Sequence, residues 1–264
     1  GRMMDDSPVK IGNTLFTMVD PHHGYEVAYN RWYERDHFYA GCLIFPGLFA
    51  GRRWVAPRRL KDLRFPETTP FAEPYDAGSF LSIYWRHQGM ENAGQDWDGP
   101  SVFWLYENGR GFNERTHAHT ANYDFMSVAY KDDDGVPIEL ALDHDYAGLA
   151  VIVSEPADGV SSEQLLAWLE GTAAPALLAQ QGPDAIASWT LNEQFRSADR
   201  RESPQEGGHE PCGDEAAGAC RIPAQARLHA HGRARRREGV ARQAPIALRG
   251  AEARGQPFAL RLAT

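Results

Sequence analysis

The stretch YNRWYERDHFYAGCLIFPGLFAGRRWVAP, residues 29–57, concentrates the side chains best suited to chemistry. His37 is the first candidate, because an imidazole with an ordinary pKa of about 6.5 can take and return a proton near neutrality. Tyr33 lies four residues before it, so on a helix the phenol and the imidazole sit one above the other. Asp36 or Glu34 could then fix the imidazole tautomer. That set suits proton abstraction beside a carbonyl, with Tyr33 or Arg53 steadying the enolate oxygen. Tyr33 and His37 are therefore the candidate catalytic residues; Trp32, Arg53, Trp54, Tyr84 and Trp85 are the candidate substrate-binding ones. A plainer reading stands beside this: His37 packs the helix on its sheet and donates to a backbone carbonyl.

Other reactive groups fall in weaker patterns. The pair His22 and His23, then His117 with His119, and His144 between Asp143 and Asp145 offer metal-ligand types. No His-Glu-x-x-His helix or defined three-ligand cluster orders them, and His117 and His119 share a face only if ERTHAHTA is extended. The expectation is no metal and no cofactor. There is no Gly-x-Ser-x-Gly elbow, P-loop or dinucleotide fingerprint. Cys42, followed by Leu43, Ile44 and Phe45, reads as buried packing. The three cysteines, Cys42, Cys212 and Cys220, form no disulfide framework or Cys-x-x-Cys pair, which fits a reducing, cytoplasmic setting.

The elements that must position these groups follow from apolar periodicity. Strands are predicted at 14–19, 48–56, 79–87, 147–154 and 185–193. Helices are predicted at 25–40 and 162–181, the second opened by a Ser161–Gln164 capping box and broken or kinked at Pro175. Alternation in SFLSIYWRH puts Phe80, Ser82, Tyr84 and Arg86 on one side and Leu81, Ile83, Trp85 and His87 on the other. Residues 101–109 read equally as helix or strand, and DFMSVAYKDDDGVPIELAL as a hairpin turning at Asp134 and Gly135.

Charge divides the 264-residue chain. Residues 196–264 hold 13 Arg and 8 acidic residues among 15 Ala, 8 Gly and 5 Pro, whereas residues 1–195 carry 14 basic and 28 acidic groups. The acidic body argues against nucleic-acid binding. The tail can bury little and reads as a solvated disordered segment, a basic patch for nucleic acid or an acidic partner, or a frameshifted stretch of a GC-rich gene. No apolar run is long enough to span a bilayer, the start lacks a signal-peptide core, and Gly1 and Arg2 before Met3 read as lying outside the fold.

Two strand–helix–strand units, 14–56 and 147–193, suggest an internal duplication. The segment NRWYERDHFYAGCLIFPGLFAGRRWV resembles the EthD-like family of the dimeric α+β barrel superfamily through Trp32, Tyr33, His37, Pro46, Gly47, Arg52, Arg53 and Trp54. The resemblance covers about the first 90 residues and implies an α+β chain of tandem ferredoxin-like units, their antiparallel sheets packed as a barrel. The units would be 11–145, then 146–195, apparently incomplete, followed by the irregular tail 196–264. It implies a small-molecule enzyme, with general acid/base chemistry on a hydrophobic carbonyl metabolite of polyketide or sterol type. The alternative is a non-catalytic ligand-binding or accessory protein using the barrel interior. The expected partner is an apolar small-molecule ligand, with no nucleic acid and no membrane; a homodimer is left open.

Overall fold

The computed structural model describes residues 8–67, 69, 72–92 and 94–192; the tail expectation for 196–264 lies outside them. Five strands form one antiparallel sheet in the order β2-β3-β1-β4-β5. They are β1 (Ile11–Pro21), β2 (Leu48–Val55), β3 (Phe80–His87), β4 (Arg115–Tyr130) and β5 (Ala185–Leu191). Helix α1 (Glu26–Trp32) runs on as a π-helix (Tyr33–Leu43) between β1 and β2. A short α2 (Arg58–Lys61) follows β2, and α3 (Gly94–Glu107) joins β3 to β4. The chain to Tyr130 thus runs βαββαβ, with β1 hydrogen-bonded to both β3 and β4. No helix among the described residues is long and apolar enough to cross a membrane.

Alternation along the strands sorts two packed layers. On one face Val19, Leu48 and Tyr84 meet Tyr29, Trp32, Tyr33, Cys42 and Phe45 of the helix and the turn after it. On the other, Phe16, Met18, Leu81 and Trp85 face away from the helices. Trp85 and Trp189 belong to strands separated by two others, about 14 Å by ordinary strand spacing. Their rings nonetheless stack with centroids 6.3 Å apart, so the sheet curls toward this second face.

That face is covered by the chain's own residues 138–151, a strap that overturns two expectations. Residues 147–154 form no strand; Leu149 and Val151 pack across the Phe16–Met18 cluster instead. Apolar content signalled burial there, and burial needs no ladder pairing. The hairpin at Asp134 and Gly135 is also absent: β4 is one 16-residue strand, followed by a 3₁₀ turn at Ile138–Leu140. Ile138 and Leu142 are buried against Ile11, Ala50 and Trp85. Arg52 donates to the carbonyls of Leu142 and His144 and lies 3.6 Å from Asp145, holding the strap down.

The capping box forms as the sequence indicates: Gln164 N–H donates to Ser161 Oγ at 3.2 Å and Ser161 N–H to Gln164 Oε1 at 2.8 Å. It opens α4 (Ser162–Trp168), a π segment (Leu169–Ala173) and α5 (Ala174–Leu178). Pro175 falls in the first turn of α5, where a missing N–H is tolerated. Instead of opening a second sheet, β5 pairs with β4, so the described residues form one sheet.

Gly78 closes the long loop before β3. Its φ is +79° and an added Cβ would lie 2.7 Å from Met18 Cβ. Its N–H donates to Asp20 Oδ2 at 2.6 Å and its carbonyl accepts from Arg64 Nη2 at 2.7 Å. Gly78→Ala is expected to cost about 2 kcal/mol, combining a left-handed backbone with overpacking. Urea unfolding measures it, and an unchanged midpoint would contradict this account.

Candidate functional site

The helix carrying the candidate residues changes its bonding after Trp32. From Tyr33 onward it takes i→i+5 hydrogen bonds, as in Ile44 N–H to the Tyr39 carbonyl at 2.8 Å. Residues five apart then come into register, and Trp32, His37 and Cys42 form a column. The indole and imidazole stack with centroids 4.8 Å apart at 23°. His37 Nε2 lies 3.6 Å from Cys42 Sγ. Gly41 leaves the ring its room, since a Cβ there would stand 3.2 Å from His37 Nδ1 and 3.0 Å from Leu105 Cδ1.

Tyr33 meets His37 edge-on, with centroids 4.9 Å apart, and its hydroxyl pairs with that of Tyr84 from β3. Phenol and imidazole therefore touch, and a hydrogen-bond chain joins them indirectly, from Tyr33 through the Tyr84 hydroxyl and Cys42 Sγ to His37 Nε2. Asp36 does not orient the imidazole; its carboxylate is taken by Arg35 and Arg110. Nor does His37 donate to a backbone carbonyl as the packing reading expects: Nδ1 is buried without a partner.

Two arginines border the same aromatic cluster. Arg53 of β2 places its guanidinium carbon 3.9 Å from the Tyr33 ring centroid, 5.4 Å from Tyr29 and 5.3 Å from Phe80. Its Nη2 donates to Asn30 Oδ1 at 2.8 Å. Arg115 of β4 lies 4.8 Å over Trp32 and donates from Nε to His117 Nε2 at 3.2 Å. An arginine can only donate, so His117 carries its proton on Nδ1 and gives it to Thr120 Oγ1 at 2.9 Å. Among the described residues neither Arg53 nor Arg115 has a carboxylate partner, whereas Arg35 and Arg110 share Asp36, and Arg58 has Asp62 and Asp76. Arg53 Nε, like His37 Nδ1, is a buried atom without a hydrogen bond.

Electrostatics follow from this packing. Desolvation, helped by the charges of Arg115, His117 and Arg53, pushes His37 down to about 3. Desolvation and then Arg115 bring His117 down to about 4. Burial pushes Tyr29 up to about 12 against the opposing pull of Arg53 and Arg115, and it raises Tyr33 and Tyr84 as well. At neutral pH both imidazoles are uncharged.

Comparison with known proteins adds nothing to these contacts: no family model, no curated protein and no solved structure matches the chain. The geometry therefore stands by itself. It brings together Trp32, Tyr33, His37, Arg53 and Tyr84 of the sequence-derived set, and it separates the other two. Trp54 lies on the opposite face with its ring 4.5 Å under Arg52, and Trp85 is buried there against Ile138 and Leu142. Strand alternation is the reason, since neighbours in sequence point to opposite faces. Arg115, His117 and Tyr29 join the site without having been singled out for it. ERTHAHTA is indeed extended, yet β4 shifts register between its partners Met18 and Val19. His117 consequently contacts Thr17 and Thr120, while His119 packs on Phe16 across the sheet.

Proposed function

We propose that this chain is an EthD-like small-molecule protein whose helix–sheet layer holds the carboxylate or enolate of a hydrophobic carbonyl compound, polyketide- or sterol-like. The observation that supports it is the pair Arg53 and Arg115, laid on the rings of Tyr33, Tyr29 and Trp32 with no carboxylate partner among the described residues. Arginines so placed have donors left over for an anion, and the aromatic wall suits an apolar body. In this reading the βαββαβ order is that of a ferredoxin-like unit, to whose sheet β5 adds a fifth strand beside β4.

The enzymatic form of the reading has His37 as an uncharged base beside Tyr33, with Arg53 steadying the enolate oxygen. The second form is a non-catalytic binding or accessory protein. It is favoured by the depressed basicity of His37, which leaves the ring a weak proton acceptor at neutral pH.

The test uses 2-naphthoate and its uncharged amide as probes, with Arg53→Ala, Arg115→Ala and His37→Ala variants. The wild type should prefer the acid to the amide. Each arginine variant should lose about tenfold or more in acid affinity, the scale of one charge-assisted hydrogen bond. Equal affinity for acid and amide would overturn the anion site. With a hydrophobic β-keto acid as substrate, a folded His37→Ala variant that binds but no longer turns over supports the enzyme; absence of turnover in the wild type supports the binder.

A further inference from the structure

Among the described residues the sheet ends on two edges, and they are finished differently. On one, β2 carries Arg52 and Arg53, and Pro57 stands just past its end. Charge and proline are the ordinary guards against a further strand adding on. The other edge, β5, reads AIASWTL, with no charged residue and no proline. It pairs with β4 alone, so its backbone groups on the side away from β4 meet no strand among the described residues. An unguarded edge of β-branched, aromatic and small residues is a template for one more strand.

A second observation lies beside that edge. A cavity of about 250 Å³ opens between β4, β5 and the π segment that follows α4. Ala129, Ala174 and Ile186 form its apolar lining, and Ser127, Ser188 and Glu170 its polar lining. Ser127 stands opposite Ser188 in the ladder. Among the described residues none of these three polar side chains makes a hydrogen bond or an ion pair. The volume falls below the roughly 300–1,000 Å³ of pockets that take a whole small molecule, so it suits one long side chain. Its single carboxylate calls for a cation. The edge strand itself supplies Ile186 and Ser188, so a side chain from a strand alongside β5 reaches the cavity without crossing the sheet.

We propose that residues 257–264, PFALRLAT, dock along β5 as a further strand and place Arg261 in this cavity, against Glu170, Ser127 and Ser188. The occupant belongs to the same chain: Asn192 follows β5 directly, its N–H on the Asn122 carbonyl at 2.9 Å, and residues 193–264 continue from there. Phe258, Leu260 and Leu262 are the one place beyond Asn192 where three large apolar residues recur at period two. One register suits both faces. Phe258, Leu260 and Leu262 lie beside Ala187 and Trp189, extending the cluster that Trp189 forms with Trp85 and Phe125. Ala259, Arg261 and Ala263 lie beside Ile186 and Ser188, where the two alanines leave room for the π segment and the arginine reaches Glu170. A slip by one residue reverses both faces, so the alternation fixes the pairing. Main-chain bonds hold the strand and the cavity selects it, as in other cases of strand addition. The contact does not depend on the arginine pair of the helix layer.

Hydrogen exchange of the full chain, followed by mass spectrometry on peptides covering 185–192, reads the edge directly. Leu260→Pro removes a ladder donor in mid-strand and should speed exchange in β5 about tenfold or more, with β1 and β3 unchanged. Arg261→Glu sets like charge against Glu170 and should have the same effect; Glu170→Arg added to it should restore slow exchange. General destabilisation does not produce that rescue. Exchange in β5 that is equally fast in the wild type and in both single variants would show the edge bare and overturn the proposal. Failure of the swapped pair to restore protection would overturn the placement of Arg261. Protection that is lost on dilution, as a dimer dissociates in sedimentation, would make the occupant a second copy and the proposal wrong.

Discussion

Asp36→Ala is expected to lower the stability of the chain by about 3 kcal/mol, the lower end of what breaking a buried ion pair costs. The Asp36 side chain is 1% exposed and receives Arg35 Nε at 2.8 Å, Arg110 Nε at 2.8 Å and Arg110 Nη2 at 2.5 Å. Burial works against the ionised carboxyl, yet the two guanidiniums prevail and hold it below its ordinary value. The contact does more than pair charges. It ties the π-helix to the turn after α3, where the Arg110 carbonyl also accepts the Trp32 indole N–H at 2.7 Å. Both arginine side chains reach solvent, 78% and 41% exposed, so losing Asp36 strands no buried cation; that places the cost at the low end. Asp36→Asn, which keeps shape and loses charge, should cost about half as much, since neutral hydrogen bonds are roughly half as strong. Urea unfolding of the three proteins decides it, and a loss below about 1 kcal/mol for Asp36→Ala would put these contacts with ordinary surface pairs.

Acidification is expected to weaken the fold well before the carboxylates protonate. His37 titrates near 6.5 in an unfolded chain and at about 3 in the folded one. The unfolded state therefore binds more protons between these values. The stabilisation is complete above about pH 6.5 and is lost progressively as pH falls toward 3. At pH 5 the loss from this one ring is about 2 kcal/mol. His117 is lowered too, but its ring is exposed, so solvent screens most of its contribution. Asp20, Asp36 and Asp76 are also depressed, but their losses begin only below the ordinary carboxylate range. His37→Phe keeps a ring on Trp32 and removes the titration. Its stability should fall less than half as much between pH 7.5 and pH 5; parallel curves for the two proteins would show that His37 is not the group responsible.

The parts legible in the sequence are those where one local rule decides. Apolar alternation located β1, β2, β3 and β5, and the Ser161–Gln164 pair located the start of α4. Where two rules produce the same pattern, reading failed: residues 147–154 are apolar because they lie over a sheet, and a buried strand would look alike. The π segment was hidden for a related reason. Trp32, His37 and Cys42 stand five apart in plain view, but a 3.6-residue period assigns them no common column. Arg115 and His117 were beyond local rules altogether. They reach the helix layer only through the pairing of β1 with β4, roughly a hundred residues apart, and through the register shift opposite Met18 and Val19. Selecting both Tyr84 and Trp85 set aside what alternation had already said, that only one of them could face the helix.

The strap has a consequence for how the chain is made. By Tyr130 the four strands β2-β3-β1-β4 and the helices between them are all present. The other face, with Phe16, Met18, Leu81 and Trp85, is still waiting for residues 138–151. At ordinary rates of synthesis, about 5–20 residues per second, those 21 or so residues emerge within a few seconds. For that interval a nascent chain already capable of pairing its strands presents an uncovered aromatic surface, the kind of intermediate that chaperones bind and that aggregates when synthesis stalls. A pause placed between codons 130 and 151 should therefore lower the yield of soluble protein far more than an equal pause between codons 30 and 50, when no sheet yet exists to be left half-clad.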